Sequence, residues 1–115
     1  PKSQGYFDYI EIINYCKNEF PKADIVLCTP PHATENDYYS NCGYMSNIIS
    51  AEKAVRQIAE DLKLPLIDVF GFEEFCEENT SKYQSADGLH FNEAGYKTLA
   101  EFIFQNLKTL FPERF

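Results

Sequence analysis

A chain of 115 residues, 44% hydrophobic and 24% charged, carries enough apolar material for one buried core and too little length for two. The net charge of −8, with no cluster of Lys or Arg, excludes a nucleic-acid backbone or an anionic membrane surface as the main partner and favours a neutral or small-molecule one. No apolar run approaches the about 20 residues needed to span a bilayer, and Pro1-Lys2-Ser3-Gln4-Gly5 does not read as a signal peptide, so no cellular address is legible.

Tyr6, Tyr9, Ile10, Ile13, Cys16 and Phe20 recur at spacings of three and four, which predicts one amphipathic helix over 6–20, ended by Pro21. The run Asp24 to Cys28 is short, apolar and partly β-branched, and Thr29-Pro30-Pro31 stops it; it predicts a strand covered on both faces. From Ser46 to Lys63, Ile48, Ala51, Val55, Ile58, Ala59 and Leu62 repeat the helical stripe, with Glu52, Lys53, Arg56, Glu60 and Asp61 on the opposite, solvated side. Leu66 to Phe70 predicts a second strand, with Pro65 tolerated at its start. A short helix over Phe72 to Asn79 would bury Phe72, Phe75 and Cys76, leaving Glu73, Glu74, Glu77 and Glu78 as a solvated face. Asn92 is a suitable N-cap for a last helix, Phe91 and Tyr96 form a hydrophobic staple, and Leu99, Ala100, Ile103, Leu107 and Leu110 mark its core face.

The order helix, strand, helix, strand, short helix, helix is α/β. A strand, a helix and a strand make one crossover unit with two parallel strands. Two doubly covered strands leave two open sheet edges, so the pattern implies partner strands supplied by an upstream part of the polypeptide or by a complementary chain. The four cysteines (Cys16, Cys28, Cys42 and Cys76) have no Cys-x-x-Cys pair and read as buried free thiols; a Cys28–Cys42 bridge would close one long loop. A Cys28, His32 and Cys42 set has metal-ligand types without a metal-site spacing.

In a sheet of this kind ligands sit beyond the carboxyl ends of the strands. Two loops leave from there. One runs from Thr29 to Met45 and is rich in Tyr, Asn and Pro; the other runs from Gly71 and ends in Asp87-Gly88-Leu89-His90. In this second loop Gly88 lets the chain fold back, so that Asp87 can accept an N–H of the His90 ring and leave the other ring nitrogen to take a proton from a nucleophile. The same spacing also occurs in ordinary Asp-Gly turns before a helix. His32 reads as a solvated loop residue, and Tyr38, Tyr39 and Tyr44 either stack on a substrate or pack their own loop.

The longer string Asp87-Gly88-Leu89-His90-Phe91-Asn92-Glu93-Ala94-Gly95-Tyr96 resembles the last conserved block of the SGNH (GDSL-type) hydrolase family. The strand ending in Thr29-Pro30-Pro31 and the Leu-Pro-led strand carrying Asp68 are similar to that family's C-terminal half. The resemblance implies a three-layer α/β/α, flavodoxin-like fold, of which residues 1–115 form a single unit holding two parallel strands and about four helices. It implies a serine esterase acting on small-molecule carboxylic esters, possible substrates being acyl or acetyl esters of sugars or lipids, with no cofactor. His90 would be the general base and Asp87 its orienter. The Gly-Asp-Ser nucleophile block, the oxyanion-hole glycine and the Gly-x-Asn-Asp block are not in this sequence, and Ser3, Ser40, Ser46, Ser50, Ser81 and Ser85 lie in no nucleophile motif. The serine is therefore expected from a missing N-terminal part. Two rivals stand beside this reading: a non-catalytic α/β interaction module, in which the motif only caps the last helix and a partner strand completes the sheet, and a receiver or flavodoxin-like domain.

Overall fold

The computed structural model describes residues 2–34 and 44–115. Ser3 caps α1 (Gln4–Glu19) by accepting the Tyr6 N–H. This helix buries Tyr6 and Ile13, half-buries Tyr9, Ile10 and Cys16, and leaves Phe20 61% exposed. Phe20 falls off the expected stripe because it is the C-cap: its φ of −130° and ψ of 66° turn the chain out of the helix before the side chain can reach the core.

Strands β1 (Leu27–Cys28) and β2 (Leu66–Ile67) pair in parallel with Leu27 opposite Leu66 and Cys28 opposite Ile67. Both are shorter than the apolar runs that contain them. β2 stops early because the Val69 N–H turns back to the Ile67 carbonyl at 3.1 Å, and that bond takes the chain out of the ladder. Between the strands lies α2 (Tyr44–Leu62), which ends where Lys63 takes a left-handed φ of 55°.

Alternation along the strands sorts two hydrophobic clusters onto the two sheet faces. Ile25, Leu27, Leu64 and Leu66 pack with Tyr6 and Ile13 of α1 and Val55, Ile58 and Ala59 of α2. Val26, Ile67 and Val69 point the other way, toward Phe75, Tyr83, Phe91 and the Leu99, Phe102, Ile103 and Leu107 face of α4 (Glu93–Leu110). The result is three layers, with α1 and α2 on one side and α4 on the other. The α4 layer is partial, since Val26 is only half-buried and Cys28 is exposed, so β1 is covered on one face rather than on both. Cys16, Cys28 and Cys76 are free and none is fully buried, contrary to the expectation of buried thiols, while Cys42 and the proposed bridge to it lie outside the described residues.

Glu52 corrects the expected solvated side of α2. It is 7% exposed, because Arg56 one turn later hydrogen-bonds it and also reaches Asp68 at 2.5 Å. The segment after β2 is not one helix. It makes two 3₁₀ turns, Glu73–Phe75 and Glu77–Asn79, followed by a four-residue α3 (Thr80–Tyr83). Glu74 likewise is not merely solvated, since it accepts the Tyr83 hydroxyl at 2.7 Å. Asn92 caps α4 as expected, its Oδ1 accepting the Gly95 N–H at 2.8 Å, and the Phe91 and Tyr96 rings meet edge to face at 5.6 Å. Ala100 and Leu110 are exposed, and Phe102 takes the place expected for them by stacking on Phe72 at 4.0 Å.

Candidate active site

Both strands send their carboxyl ends into one region, and side-chain bonds tie the two exits together. The Thr29 hydroxyl, on a side chain that is fully buried, donates to Asp68 at 3.0 Å and accepts the Phe70 N–H at 2.8 Å. Asp68 also accepts Arg56 and the Gly71 N–H. Burial pushes its carboxyl up, but Arg56, the Gly71 N–H and Thr29 together outweigh that and hold it below the usual carboxylate range. The sequence marked Asp68 only as part of a strand. Its bond to Arg56 spans twelve residues, a distance that no local pattern encodes.

The loop that ends at α4 is closed on itself. Gln84 and Phe91 form an antiparallel bridge, the Asn92 N–H donates to the Tyr83 carbonyl at 3.0 Å, and the Ser85 N–H donates to the His90 carbonyl at 2.8 Å. Gly88, at the tip, has a φ of 72°, a conformation a side chain would strain. Gly95 is required for a different reason: a Cβ there would collide with the Tyr83 carbonyl oxygen and the Phe91 side chain, where the first turn of α4 presses on the base of the loop.

This closed loop brings the two predicted residues together. The His90 Nδ1 lies 2.5 Å from Asp87 Oδ2. The other Asp87 oxygen accepts the backbone N–H groups of Leu89 at 2.8 Å and His90 at 2.9 Å, so the carboxylate is fixed before the ring meets it. The His90 hydrogen bond first, and the two backbone N–H groups after it, hold the Asp87 carboxyl down to about 2. At neutral pH it is an anion that accepts the Nδ1 proton and leaves Nε2 as the basic atom. The Asp87 side chain is 13% exposed and that of His90 64%, so the anion is sheltered while the imidazole faces outward. Among the described residues no serine hydroxyl is hydrogen-bonded to the His90 ring; Ser85, the nearest in sequence, donates to the Phe91 carbonyl at 3.3 Å.

The start of the first loop packs on this turn. The Thr34 N–H donates to the Gly88 carbonyl at 2.8 Å, and Gln84 Nε2 donates to the His32 carbonyl at 2.9 Å. His32 is therefore not the solvated residue expected from its neighbours: it is half-buried and its ring lies against Phe70 at 5.5 Å. Tyr38 and Tyr39 lie outside the described residues, as does the side chain of Tyr44. A cavity of about 400 Å³ lies beside the turn, lined by Thr34, Thr80, Ser81, Gln84, Ser85, Ala86 and Gly88. No group of three or more metal-ligating side chains occurs among the described residues.

Comparison with solved structures defines the class. The chain is similar to the esterase domain of the ZfL2-1 ORF1 protein from the zebrafish ZfL2-1 retrotransposon, with a TM-score of 0.74 and 18% identity over 93% of this chain and 65% of that one. It is also similar to a lipase/acylhydrolase from Enterococcus faecalis, with a TM-score of 0.69 and 23% identity over 94% of this chain and 54% of that one. A protein from Lactobacillus plantarum matches with a TM-score of 0.71 and 18% identity, over 90% of this chain and 53% of that one. The fold is that of the SGNH hydrolases, and the chain spans between 53% and 65% of the length of these neighbours. Residues 1–98 match the GDSL-like Lipase/Acylhydrolase family, and the chain belongs to that family. No curated protein matches it significantly.

Proposed function

We propose that this chain supplies the acid–base half of a serine ester hydrolase, with Asp87 orienting His90 and the nucleophilic serine contributed by a segment outside these residues. The observation that carries the reading is the 2.5 Å contact between Asp87 and His90 Nδ1, made by a carboxylate already fixed through two backbone N–H groups beside an imidazole that is 64% exposed. Membership of the acylhydrolase family supports the reaction class. The cap of α4 is Asn92, whose Oδ1 accepts the Gly95 N–H, which speaks against the motif serving as the helix cap.

In this mechanism His90 Nε2 removes the proton from the serine hydroxyl as its oxygen attacks the ester carbonyl. The imidazolium that forms is stabilised by Asp87 through Nδ1–H. As the tetrahedral species collapses, Nε2 returns the proton to the departing alcohol and an acyl-enzyme remains. Water enters by the same base and releases the acid. The substrates are carboxylic esters, acetyl or longer acyl esters of sugars or lipids, and the chemistry uses no cofactor.

The test joins this chain to the segment bearing the serine and measures hydrolysis of a small acyl ester. Replacing His90 with Ala is expected to lower kcat by about a million-fold while the circular dichroism spectrum is retained. Unchanged turnover by the folded variant would refute the role.

A further inference from the structure

We infer that Gln84 is a positioning residue for the Asp87–His90 pair, an inference that rests on the function proposed above. Because the His90 ring is 64% exposed, packing does not hold it; its placement depends on the backbone of the loop 83–92 and on Asp87. Among the described residues, backbone-anchored bonds fasten that loop to the segment leaving β1 at two points. One is the tip, where the Gly88 carbonyl accepts the Thr34 N–H at 2.8 Å, and the other is the base, where Gln84 Nε2 donates to the His32 carbonyl at 2.9 Å. Gln84 sits opposite Phe91 in the antiparallel bridge, and the Ser85 N–H bonds the His90 carbonyl, so a shift of Gln84 is passed directly to the backbone of His90.

Burial of this side chain is unusual for its type. Gln84 is 8% exposed, and its Oε1 is buried with no hydrogen-bond partner among the described residues. An apolar residue would fill the same space without the stranded Oε1, at the cost of the donor to the His32 carbonyl. The amide therefore does little for stability beyond what its one donated bond supplies, and that bond joins the first loop to the turn that carries the pair. Fixing the base of the loop at a second point sets the direction in which Nε2 presents itself to the nucleophile.

Gln84→Leu removes the bond at nearly constant volume, and Gln84→Met removes the donor with an unbranched chain of similar length and no new charge. In the complete polypeptide both are expected to lower kcat about 10- to 100-fold with KM little changed, the loss typical of a misplacement of about 1 Å. Thermal stability of Gln84→Leu should stay close to that of the parent, because one stranded polar atom replaces another. The downfield Nδ1–H proton resonance of His90 should shift or broaden in both variants. An unchanged kcat in a folded variant overturns the inference. So does a raised KM at unchanged kcat, which would make Gln84 a substrate contact of the adjoining cavity. If Gln84→Leu does not fold, the kcat and resonance of Gln84→Met decide by the same criteria. Loss of activity in His90→Ala alongside full activity in both Gln84 variants would sink this inference alone, whereas full activity in His90→Ala would sink the proposed function itself.

Discussion

Asp87 makes the acid side of the site pH-sensitive in a definite direction. Its carboxyl is held at about 2 in the folded chain, against about 3.9 for an aspartate in an unfolded one. A carboxyl with a depressed pKa contributes stability that is complete above the unfolded value and is lost as pH falls through the folded one. The closed turn should therefore be intact at pH 4 and loosen toward pH 2. Following the Asp87 side-chain carboxyl carbon by NMR through an acid titration checks this. A midpoint near 4 would mean that the bonds from His90 and the two backbone N–H groups are not made in solution.

At the scale of elements, the half-buried charges linking α2 to β2 are the strongest departure from simple amphipathic packing. Glu52 keeps its charge off solvent only because Arg56 lies beside it, and Arg56 in turn reaches Asp68 beyond the end of β2. Replacing Arg56 with Ala leaves Glu52 buried without that partner and should destabilise the fold by about 1–3 kcal/mol in denaturant titration. Adding Glu52→Gln to the same variant should recover part of the loss, because the stranded charge is gone. An Arg56→Ala chain as stable as the parent, with no coupling to Glu52, would show that the pair behaves as an ordinary exposed ion pair.

The whole molecule is flat and looser than its length requires. Its radius of gyration is 15.5 Å and its shortest extent 21 Å, where a compact domain of this size has a radius of about 13 Å. On α1, Phe7, Ile12 and Tyr15 are more than half exposed, and Cys28 of β1 is exposed as well. Under the function proposed above, the segment that brings the serine would be free to pack on these surfaces. Burial pushes the Cys28 thiol up, so at alkaline pH it should react with an aqueous thiol reagent in this chain, and far more slowly if the serine-bearing segment, once joined, packs here, as read by peptide mass mapping. Equal labelling in the two would argue that the segment packs elsewhere.

Much of the architecture is local and was therefore readable from residues alone. The helical stripes, the Asn92 cap and the meeting of Asp87 with His90 across Gly88 all depend on neighbours a few positions apart, where spacing and backbone preference decide the outcome. The α/β class and the resemblance of the Asp87 to Tyr96 block to one hydrolase family were legible for the same reason.

What only the tertiary structure decided are the contacts between segments far apart in the chain. The Gln84 amide on the His32 carbonyl spans 52 residues and the Thr29 hydroxyl on Asp68 spans 39. Arg56, the partner of buried Glu52 within α2, is itself bonded to Asp68 beyond β2, a link between segments that no helical spacing shows. Local pattern carries no signal for such pairs, because a polar residue spaced for solvent and one spaced for a distant partner look alike until the sheet brings the two carboxyl ends together. His32 shows the same limit: its position after two prolines suggests a solvated loop, and only the folded chain sets its ring against Phe70 and its carbonyl under the turn that carries His90.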